Sequence, residues 1–295
     1  MSSPAPTGHD SEELTFTRDG LTFRATLDGP ADGTPVILLH GFPGSRQTWR
    51  GVVERLRPTG ISTVALEQRG YGPSARPKAV AAYRLPELAA DVVALADRLG
   101  VDRCHLVGHD WGGIVAWYLA ATQPARWTSL TVLSTPHPQA FRTAALRSDQ
   151  GLRSAYVLAF QLPLLPESVL TVAEGRVLQA ALQSSGLNAG TARRYAEHLS
   201  TPGAMRAALN WYRASFRHPG DLRDVGEVTV PTTYVWSTED VALGRAAAER
   251  TGTYVGADYR FVVLDGVAHW IPETRPARTA DLILDAVSAN DRPAR

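Results

Sequence analysis

An aspartate lies at the centre of a glycine-rich segment at residues 106–113, which reads Leu-Val-Gly-His-Asp-Trp-Gly-Gly. An apolar strand that runs through such a turn into a helix predicts a nucleophile elbow, which holds its central residue in a strained backbone conformation. The neighbours of that residue must be nearly free of side chain, and Gly108, Gly112 and Gly113 meet this demand. Serine is the usual central residue, so Asp110 predicts a nucleophilic carboxylate. The alternative is an ordinary turn in which Asp110 only caps the helix.

A second glycine-containing segment, at residues 40–44 (His-Gly-Phe-Pro-Gly), directly follows the apolar run 36–39. In folds with such an elbow, the loop after this strand supplies one backbone N–H of an oxyanion hole. We therefore expect the backbone N–H groups of Phe42 and Trp111 to bind the oxyanion that forms during the reaction.

A histidine and a carboxylate that could complete the site follow later in the chain. His269 comes after the apolar run 259–264 and before the last helical stretch, and Asp240 or Glu239 follows the run 232–236. The order nucleophile, acid, histidine is the one used by folds with this elbow. We expect His269 to act as the base and Asp240 to accept its Nδ1–H, with Glu239 as the second choice. The alternative for Asp240 is an ordinary turn residue.

Short apolar runs alternate with amphipathic stretches, a pattern typical of a parallel sheet with helical crossovers. Strands are predicted at residues 34–39, 62–66, 104–108, 130–134, 232–236 and 259–264, and helices at 86–99, 112–121 and 275–287. Between about His137 and Asp224 the strand signal disappears, and stretches rich in Ala, Leu and Arg predict helices. We therefore expect an α/β core at residues 1–136 and 226–295, interrupted by a helical cap at residues 137–225.

The composition excludes several classes of protein. The net charge is +1, and no basic run could follow a nucleic-acid backbone. Lys78 is the only lysine, which leaves almost no candidate for Schiff-base chemistry, and the single cysteine, Cys104, is expected to be a small buried strand residue. Residues 1–10 lack the pattern of a secretory signal, and no stretch reaches the ~20 apolar residues of a membrane span. We expect a cytoplasmic protein without nucleic-acid or membrane partners.

These residues together resemble a known family, the α/β-hydrolase epoxide hydrolases, an aspartate-nucleophile branch related to the haloalkane dehalogenases. The resemblance extends from about residue 21 to residue 287, and the combination of motifs is specific, although each motif alone is not. The matching motifs are 40–43 (His-Gly-Phe-Pro), 69–72 (Arg-Gly-Tyr-Gly), 108–113, 134–138 (Ser-Thr-Pro-His-Pro), 210–213 (Asn-Trp-Tyr-Arg) and 266–270 (Gly-Val-Ala-His-Trp). The resemblance implies an α/β-hydrolase fold with a mostly parallel sheet flanked by helices and an inserted helical cap. We expect no cofactor and no metal ion.

The resemblance also implies a reaction. Asp110 would open a small hydrophobic epoxide to give an alkyl-enzyme ester, and His269, held by Asp240, would activate the water that cleaves this ester to a vicinal diol. Family members protonate the leaving oxygen with tyrosines of the cap, and Tyr212 matches one of them. The register of the other tyrosine falls on Ala159, so Tyr156, one helical turn earlier, is the candidate replacement.

The apolar wall of the pocket is expected to come from four aromatic residues: Phe42, Trp111, Phe160 and Trp270.

Two alternative functions remain open. The same nucleophile could cleave the carbon–halogen bond of a haloalkane or haloacid, although the residue types at Phe42 and Trp111 favour an epoxide. The departure at Ala159 also leaves room for a non-catalytic ligand-binding protein, against which the presence of all three catalytic candidates argues.

Overall fold

The computed structural model describes residues 11–148, 150–154 and 156–291. Within these residues the chain forms an eight-stranded sheet, whose order is β1-β2-β4-β3-β5-β6-β7-β8. The strands are β1 (Glu12–Arg18), β2 (Leu21–Asp28), β3 (Thr34–Leu39), β4 (Ile61–Leu66), β5 (Cys104–His109), β6 (Trp127–Leu133), β7 (Thr232–Glu239) and β8 (Tyr259–Ala268). β1, β2 and β4 pair antiparallel, and every pairing from β4 to β8 is parallel. The predicted mostly parallel sheet is confirmed.

Helices connect the strands. The α-helices are α1 (Arg50–Leu56), α2 (Leu85–Leu99), α3 (Trp111–Thr122), α4 (Pro138–Arg147), α5 (Gln150–Arg153), α6 (Tyr156–Ala159), α7 (Leu165–Ser184), α8 (Ala189–Leu199), α9 (Ala204–Arg217), α10 (Gly220–Arg223), α11 (Arg245–Arg250), α12 (Ile271–Thr274) and α13 (Pro276–Asn290). Short 3-10 helices occupy Arg46–Trp49, Arg57–Thr59, Pro73–Ala75, Val80–Tyr83, Pro124–Arg126 and Thr251–Tyr254. Helix α7 is kinked at residues 172–175, where the backbone leaves helical geometry.

The two faces of the sheet are buried under different helices. Val36 and Leu38 of β3 belong to one core cluster, together with residues of α1, α12 and α13, whereas Ile37 and Leu39 belong to the other, together with residues of α2 and α3. This division follows from the strand geometry, because successive side chains point to opposite faces. Strands covered on both faces are continuous apolar runs, which is why the sequence pattern located them.

The helices α4 to α10, residues 138–223, lie between β6 and β7 in the sequence and contain no strand among their described residues. We call them the helical segment. Its buried side chains, such as Leu199, Leu209 and Trp211, join the same core cluster as α2 and α3. Trp211 also donates its indole N–H to the Arg69 carbonyl oxygen at 2.9 Å, which ties the segment to the loop after β4. The segment therefore packs over the sheet at the carboxyl end of β4.

The predicted strands and helices agree with the structure to within a few residues at each end. Strands β1 and β2 were not predicted, because they alternate exposed and buried positions and carry no continuous apolar run. Cys104 is buried on β5 as expected. The stretch 1–10, interpreted above as lacking a secretory signal, lies outside the described residues.

Candidate active site

Asp110 lies between β5 and α3 with φ 51° and ψ −122°, a left-handed backbone conformation that is rare outside glycine. Tight packing of the turn explains the glycines around it. A Cβ atom at Gly108 would overlap the backbone of Gly112, and one at Gly112 would overlap the carbonyl group of Leu39. The Asp110 side chain makes no capping hydrogen bond to α3, so the structure does not support the helix-cap alternative.

The two oxygens of the Asp110 carboxylate have different surroundings. Oδ1 accepts the backbone N–H of Phe42 at 2.7 Å, and the N–H of Trp111 also interacts with the carboxylate. Gly41 makes this approach sterically feasible, because a Cβ there would overlap the Asp110 carboxyl group. The two backbone donors expected to form the oxyanion hole thus already surround the nucleophile candidate itself.

The second oxygen, Oδ2, faces His269. The Nε2 atom of His269 lies 3.7 Å from Asp110 Oδ2, too far for a hydrogen bond. The Nδ1 atom of the same ring lies 2.8 Å from Asp240 Oδ2. Asp240 Oδ1 accepts the backbone N–H groups of Ala242 and Leu243 at 2.8 and 2.9 Å, which fixes the carboxylate. The structure brings Asp240 to His269 and leaves Glu239, the second choice, exposed at the end of β7.

The two tyrosines that the sequence predicts as proton donors, Tyr156 and Tyr212, lie close together and line the same cavity as Asp110. Tyr212, on α9, is buried and its ring packs edge-on against Trp111 at 4.9 Å between ring centroids. Tyr156, on α6, lies 6.2 Å from Tyr212 between ring centroids. Although 43% of Tyr156 is exposed, its hydroxyl lies near the site, because Asp110, Asp240 and Tyr212 all influence its pKa. Ala159, the position that the motif register indicated, is exposed.

A cavity of about 390 Å³ opens beside Asp110. The lining side chains are mostly apolar, Asp110 is the one charged residue among them, and the polar ones are hydroxyl groups. The lining comprises Asp110, Trp111, Ile114, Thr135, Pro136, Pro138, Phe141, Ser154, Tyr156, Val157, Tyr212, Ser215, Phe216, Pro219, Leu222, Ala242 and Leu243.

Of the four aromatic residues expected to line the pocket, Trp111 lines this cavity and the other three do not. Phe42 and Phe160 pack on Tyr212, with centroid distances of 5.4 and 5.0 Å, and on each other at 6.1 Å. Trp270 packs edge-on against His269 at 5.0 Å and donates its indole N–H to Ser185. The cavity extends instead towards α4 and α10, because residues of both helices line it.

Residues 34–276 match the family described as alpha/beta hydrolase fold. The chain is 34% identical over 273 residues to the AB hydrolase superfamily protein YfhM of Bacillus subtilis, which covers 90% of this chain and 94% of that protein. It is 32% identical over 277 residues to epoxide hydrolase 3 of Xenopus tropicalis, which covers 90% of this chain and 74% of that protein. The chain belongs to the epoxide hydrolase family of the α/β-hydrolase fold.

The similarity extends to solved structures of this family. The crystal structure of epoxide hydrolase A from Mycobacterium thermoresistibile matches with a TM-score of 0.82 at 25% identity, covering 96% of this chain and 100% of that chain. The predicted fold and the predicted family are both confirmed.

In this member of the epoxide hydrolase family, burial and neighbouring charges shift the pKa values of Asp110 and His269 in opposite directions. Burial raises the pKa of Asp110, while His269 and the N–H groups of Trp111 and Phe42 lower it. Burial by itself would lower the pKa of His269, but the Asp240 and Asp110 carboxylates raise it to about 9. The pKa of about 9 favours an imidazolium at His269 at neutral pH.

Burial also raises the pKa of Tyr212 well above the ordinary value of 10, and the nearby Tyr156 and Asp110 contribute to this rise. The pKa of Tyr156 is raised as well, first by burial and then by Asp110 and Asp240, whereas the Tyr212 hydroxyl lowers it. Both phenols are therefore protonated at neutral pH and can donate hydrogen bonds.

Two residues that the sequence reading did not single out fix the backbone at His269. Ser134 Oγ donates to the His269 carbonyl oxygen at 2.8 Å, and His109 Nε2 lies 3.0 Å from the same oxygen. Burial lowers the pKa of His109 well below 6.5, so its ring is neutral. Its place next to Asp110 is the one sequence signal that could have identified it.

Within the part of the chain described here, no group of three or more His, Cys, Asp or Glu side chains is arranged to hold a metal ion. Across residues 11–148, 150–154 and 156–291, the structure also contains no helix of the length and apolar character needed to cross a bilayer.

Proposed function

We propose that this chain hydrolyses neutral, apolar epoxides to vicinal diols through a covalent ester on Asp110. One observation carries the proposal: Asp110 Oδ1 is bound by the Phe42 N–H at 2.7 Å, while Oδ2 remains free between His269 and a cavity that two tyrosines line. Family membership supports it, since relatives such as epoxide hydrolase 3 of Xenopus tropicalis carry this activity in their names.

In the first step, Asp110 Oδ2 attacks a carbon of the epoxide ring, and the bond between that carbon and the ring oxygen breaks. A carboxylate is suited to displacement at such a carbon, and the product is an alkyl ester. The leaving oxygen is an alkoxide, so it takes a proton from the phenol of Tyr212 or Tyr156. Both phenols are protonated beforehand because burial raises the pKa of each.

In the second step, water attacks Cγ of the Asp110 ester and gives a proton to His269. The negative charge develops on Oδ1, where the N–H groups of Phe42 and Trp111 stabilise it. Collapse breaks the bond between Cγ and Oδ2, and the diol leaves with a proton from His269. The remaining water proton returns to the tyrosinate, so one epoxide and one water give one diol.

Ester formation itself prepares His269 for this second step. The Asp110 carboxylate contributes to the raised pKa of His269, which is about 9 in the free site. Once Oδ2 is alkylated, Asp110 carries no negative charge, and that contribution is lost. The pKa of His269 then falls, so the ring can release its proton to solvent and accept one from water, and it takes a solvent proton back once the Asp110 carboxylate is restored.

The cavity supports a neutral, apolar substrate. Asp110 is the only charged residue among the cavity-lining residues, so a substrate carboxylate would face the like charge of Asp110 and find no cationic partner in the lining. This argument disfavours haloacids. The tyrosine pair above Asp110 further favours an epoxide over a haloalkane, because a departing halide takes no proton.

The helical segment would act as the cap of this site, because it supplies Tyr156 and Tyr212 and much of the cavity lining. We therefore propose the domain division that the sequence predicts, with the cap at residues 137–225 and the core at residues 1–136 and 226–295.

A single-turnover reaction in ¹⁸O-labelled water tests the mechanism. With enzyme in excess over a terminal aliphatic epoxide, the diol should carry no label from solvent, because its new oxygen comes from Asp110 Oδ2. The label should instead appear in Asp110. Immediate incorporation of solvent oxygen into the diol would exclude the ester. Halide release from haloalkanes without epoxide turnover would favour a dehalogenase, and turnover of neither substrate would favour a ligand-binding protein.

A further inference from the structure

Arg213 is a buried arginine whose guanidinium donors are all used. It lies on α9, directly after Tyr212. Its Nε donates to the carbonyl oxygen of Phe160 at 2.9 Å and its Nη2 to that of Leu162 at 2.9 Å. Nη1 and Nη2 also bind the two carboxylate oxygens of Glu167 at 2.7 and 3.0 Å, and Nη1 lies 3.4 Å from Asn210 Oδ1.

These partners belong to the part of the chain that carries Tyr156. Phe160 and Leu162 directly follow α6, and Glu167 lies in the first turn of α7. Carbonyl groups at the end of a helix lack partners within the helix, and a cation there is favourable. Arg213 therefore binds the connection between α6 and α7 and the first turn of α7, and holds both against α9.

Helix α6 depends on such external support. It has four residues, none of which is fully buried, and its packing is limited to the partly buried Val157 and the ring of Tyr156. A helix of one turn is not stable by itself. Tyr212, in contrast, is buried on the fourteen-residue helix α9. The distance between the two phenols thus depends on how firmly α6 is attached to α9.

We infer that Arg213, paired with Glu167, is a positioning residue that holds Tyr156 beside Tyr212, so that both phenols can reach the epoxide oxygen. This inference depends on the proposed function, because it assigns the Arg213–Glu167 pair to the proton-donating step of that reaction. The pair would act on the opening of the epoxide and not on the cleavage of the ester, which uses His269 and Asp240.

The test measures the two chemical steps separately in Arg213→Gln, Arg213→Lys and Glu167→Gln. Rapid-quench mass spectrometry of the intact protein follows the rise and decay of the ester formed with a terminal aliphatic epoxide. We expect at least a tenfold slower rise in Arg213→Gln and Glu167→Gln, with the decay unchanged within twofold. Arg213→Lys should lie between these variants and the unsubstituted chain, because a single ammonium cannot bind the carbonyls and the carboxylate together.

Arg57→Gln is the matched control. Two nitrogens of Arg57 bind the two carboxylate oxygens of Asp28 at 2.8 and 2.6 Å, and neither residue lines the cavity beside Asp110. Both steps should keep their rates in this variant. Glu167→Gln keeps the inference testable if Arg213→Gln fails to fold, since it removes one charge and leaves the arginine in place.

Equal slowing of both steps, or no slowing of the rise in any variant, would overturn the inference and leave the proposed function intact. Absence of any ester in the unsubstituted chain, together with no diol, would overturn the proposed function and the inference with it.

Discussion

His269 Nε2 and Asp110 Oδ2 face each other at 3.7 Å, while the opposite oxygen of Asp110 accepts the N–H of Phe42. In the proposed reaction, the bound oxygen becomes the oxyanion and the other oxygen attacks the substrate. The proposal also has His269 activate the water that attacks Cγ, across the same 3.7 Å separation. The proposed mechanism thus gives a different task to each oxygen of a single side chain.

Replacing the base should trap the intermediate. In His269→Gln, Asp110 can still open the epoxide, but no base activates the water, so the alkyl ester should accumulate. Mass spectrometry of the intact protein should show one added substrate mass per chain, and peptide mapping should place it on Asp110. Asp110→Asn is the control and should show no adduct. An adduct on any other residue would contradict the assignment of the nucleophile.

The protonation of His269 should couple stability to pH. Its folded pKa of about 9 is above the ordinary value of 6.5, so the folded chain binds this proton more tightly than the unfolded chain. The resulting stabilisation is fully present below about pH 6.5 and is lost as pH rises towards 9. Urea unfolding between these pH values should therefore show a falling free energy of unfolding.

Two variants check the origin of this pH effect. In His269→Gln the decline over the same window should be smaller. In Asp110→Asn it should move to lower pH, because one of the carboxylates that raise the pKa of His269 is removed. Identical profiles for all three proteins would show that other groups cause the decline.

The two phenols should act together on the opening of the epoxide. A hydrogen bond to a charged group contributes about 1.5–3 kcal/mol, so Tyr212→Phe or Tyr156→Phe should each slow ester formation by roughly ten- to hundredfold. Rapid-quench kinetics measure this rate.

Adding Ala159→Tyr to Tyr156→Phe should not restore the rate of ester formation, because Ala159 is exposed and does not line the cavity. If Ala159→Tyr restored the rate, the second proton donor would belong at position 159, as the motif register indicates, and not at Tyr156.

A side chain at Gly112 should lower the stability of the fold, because the turn around Asp110 leaves no space for it. A Cβ there would overlap the carbonyl group of Leu39, so the strand or the turn must shift in Gly112→Ala. Overpacking of this kind costs about 1–3 kcal/mol, which urea unfolding can measure. Gly226→Ala is the control, because nothing lies within 4 Å of a Cβ at that position. Equal stability of the two variants would contradict the steric argument.

The sequence by itself predicted Asp110 as the nucleophile, His269 as the base and Asp240 as the acid. Asp110 could be predicted because an elbow imposes a local steric rule, and Gly108, Gly112 and Gly113 satisfy it within a few residues. His269 and Asp240 followed from chain order, since each comes after a strand that the apolar pattern located. Patterns of this kind can be read along the sequence without knowledge of how the helices and strands pack.

The tertiary structure alone decided which phenols meet, where the cavity runs and what holds α6 in place. The sequence predicted Tyr156 as the replacement for a tyrosine at position 159, and the packing of the helical segment brings its ring to 6.2 Å from Tyr212 at the cavity beside Asp110. Phe42, Phe160 and Trp270 contact other aromatic side chains instead of lining the cavity, and Arg213 binds residues about fifty positions earlier in the chain. These relationships depend on how helices of different segments pack, and residue spacing does not encode that packing.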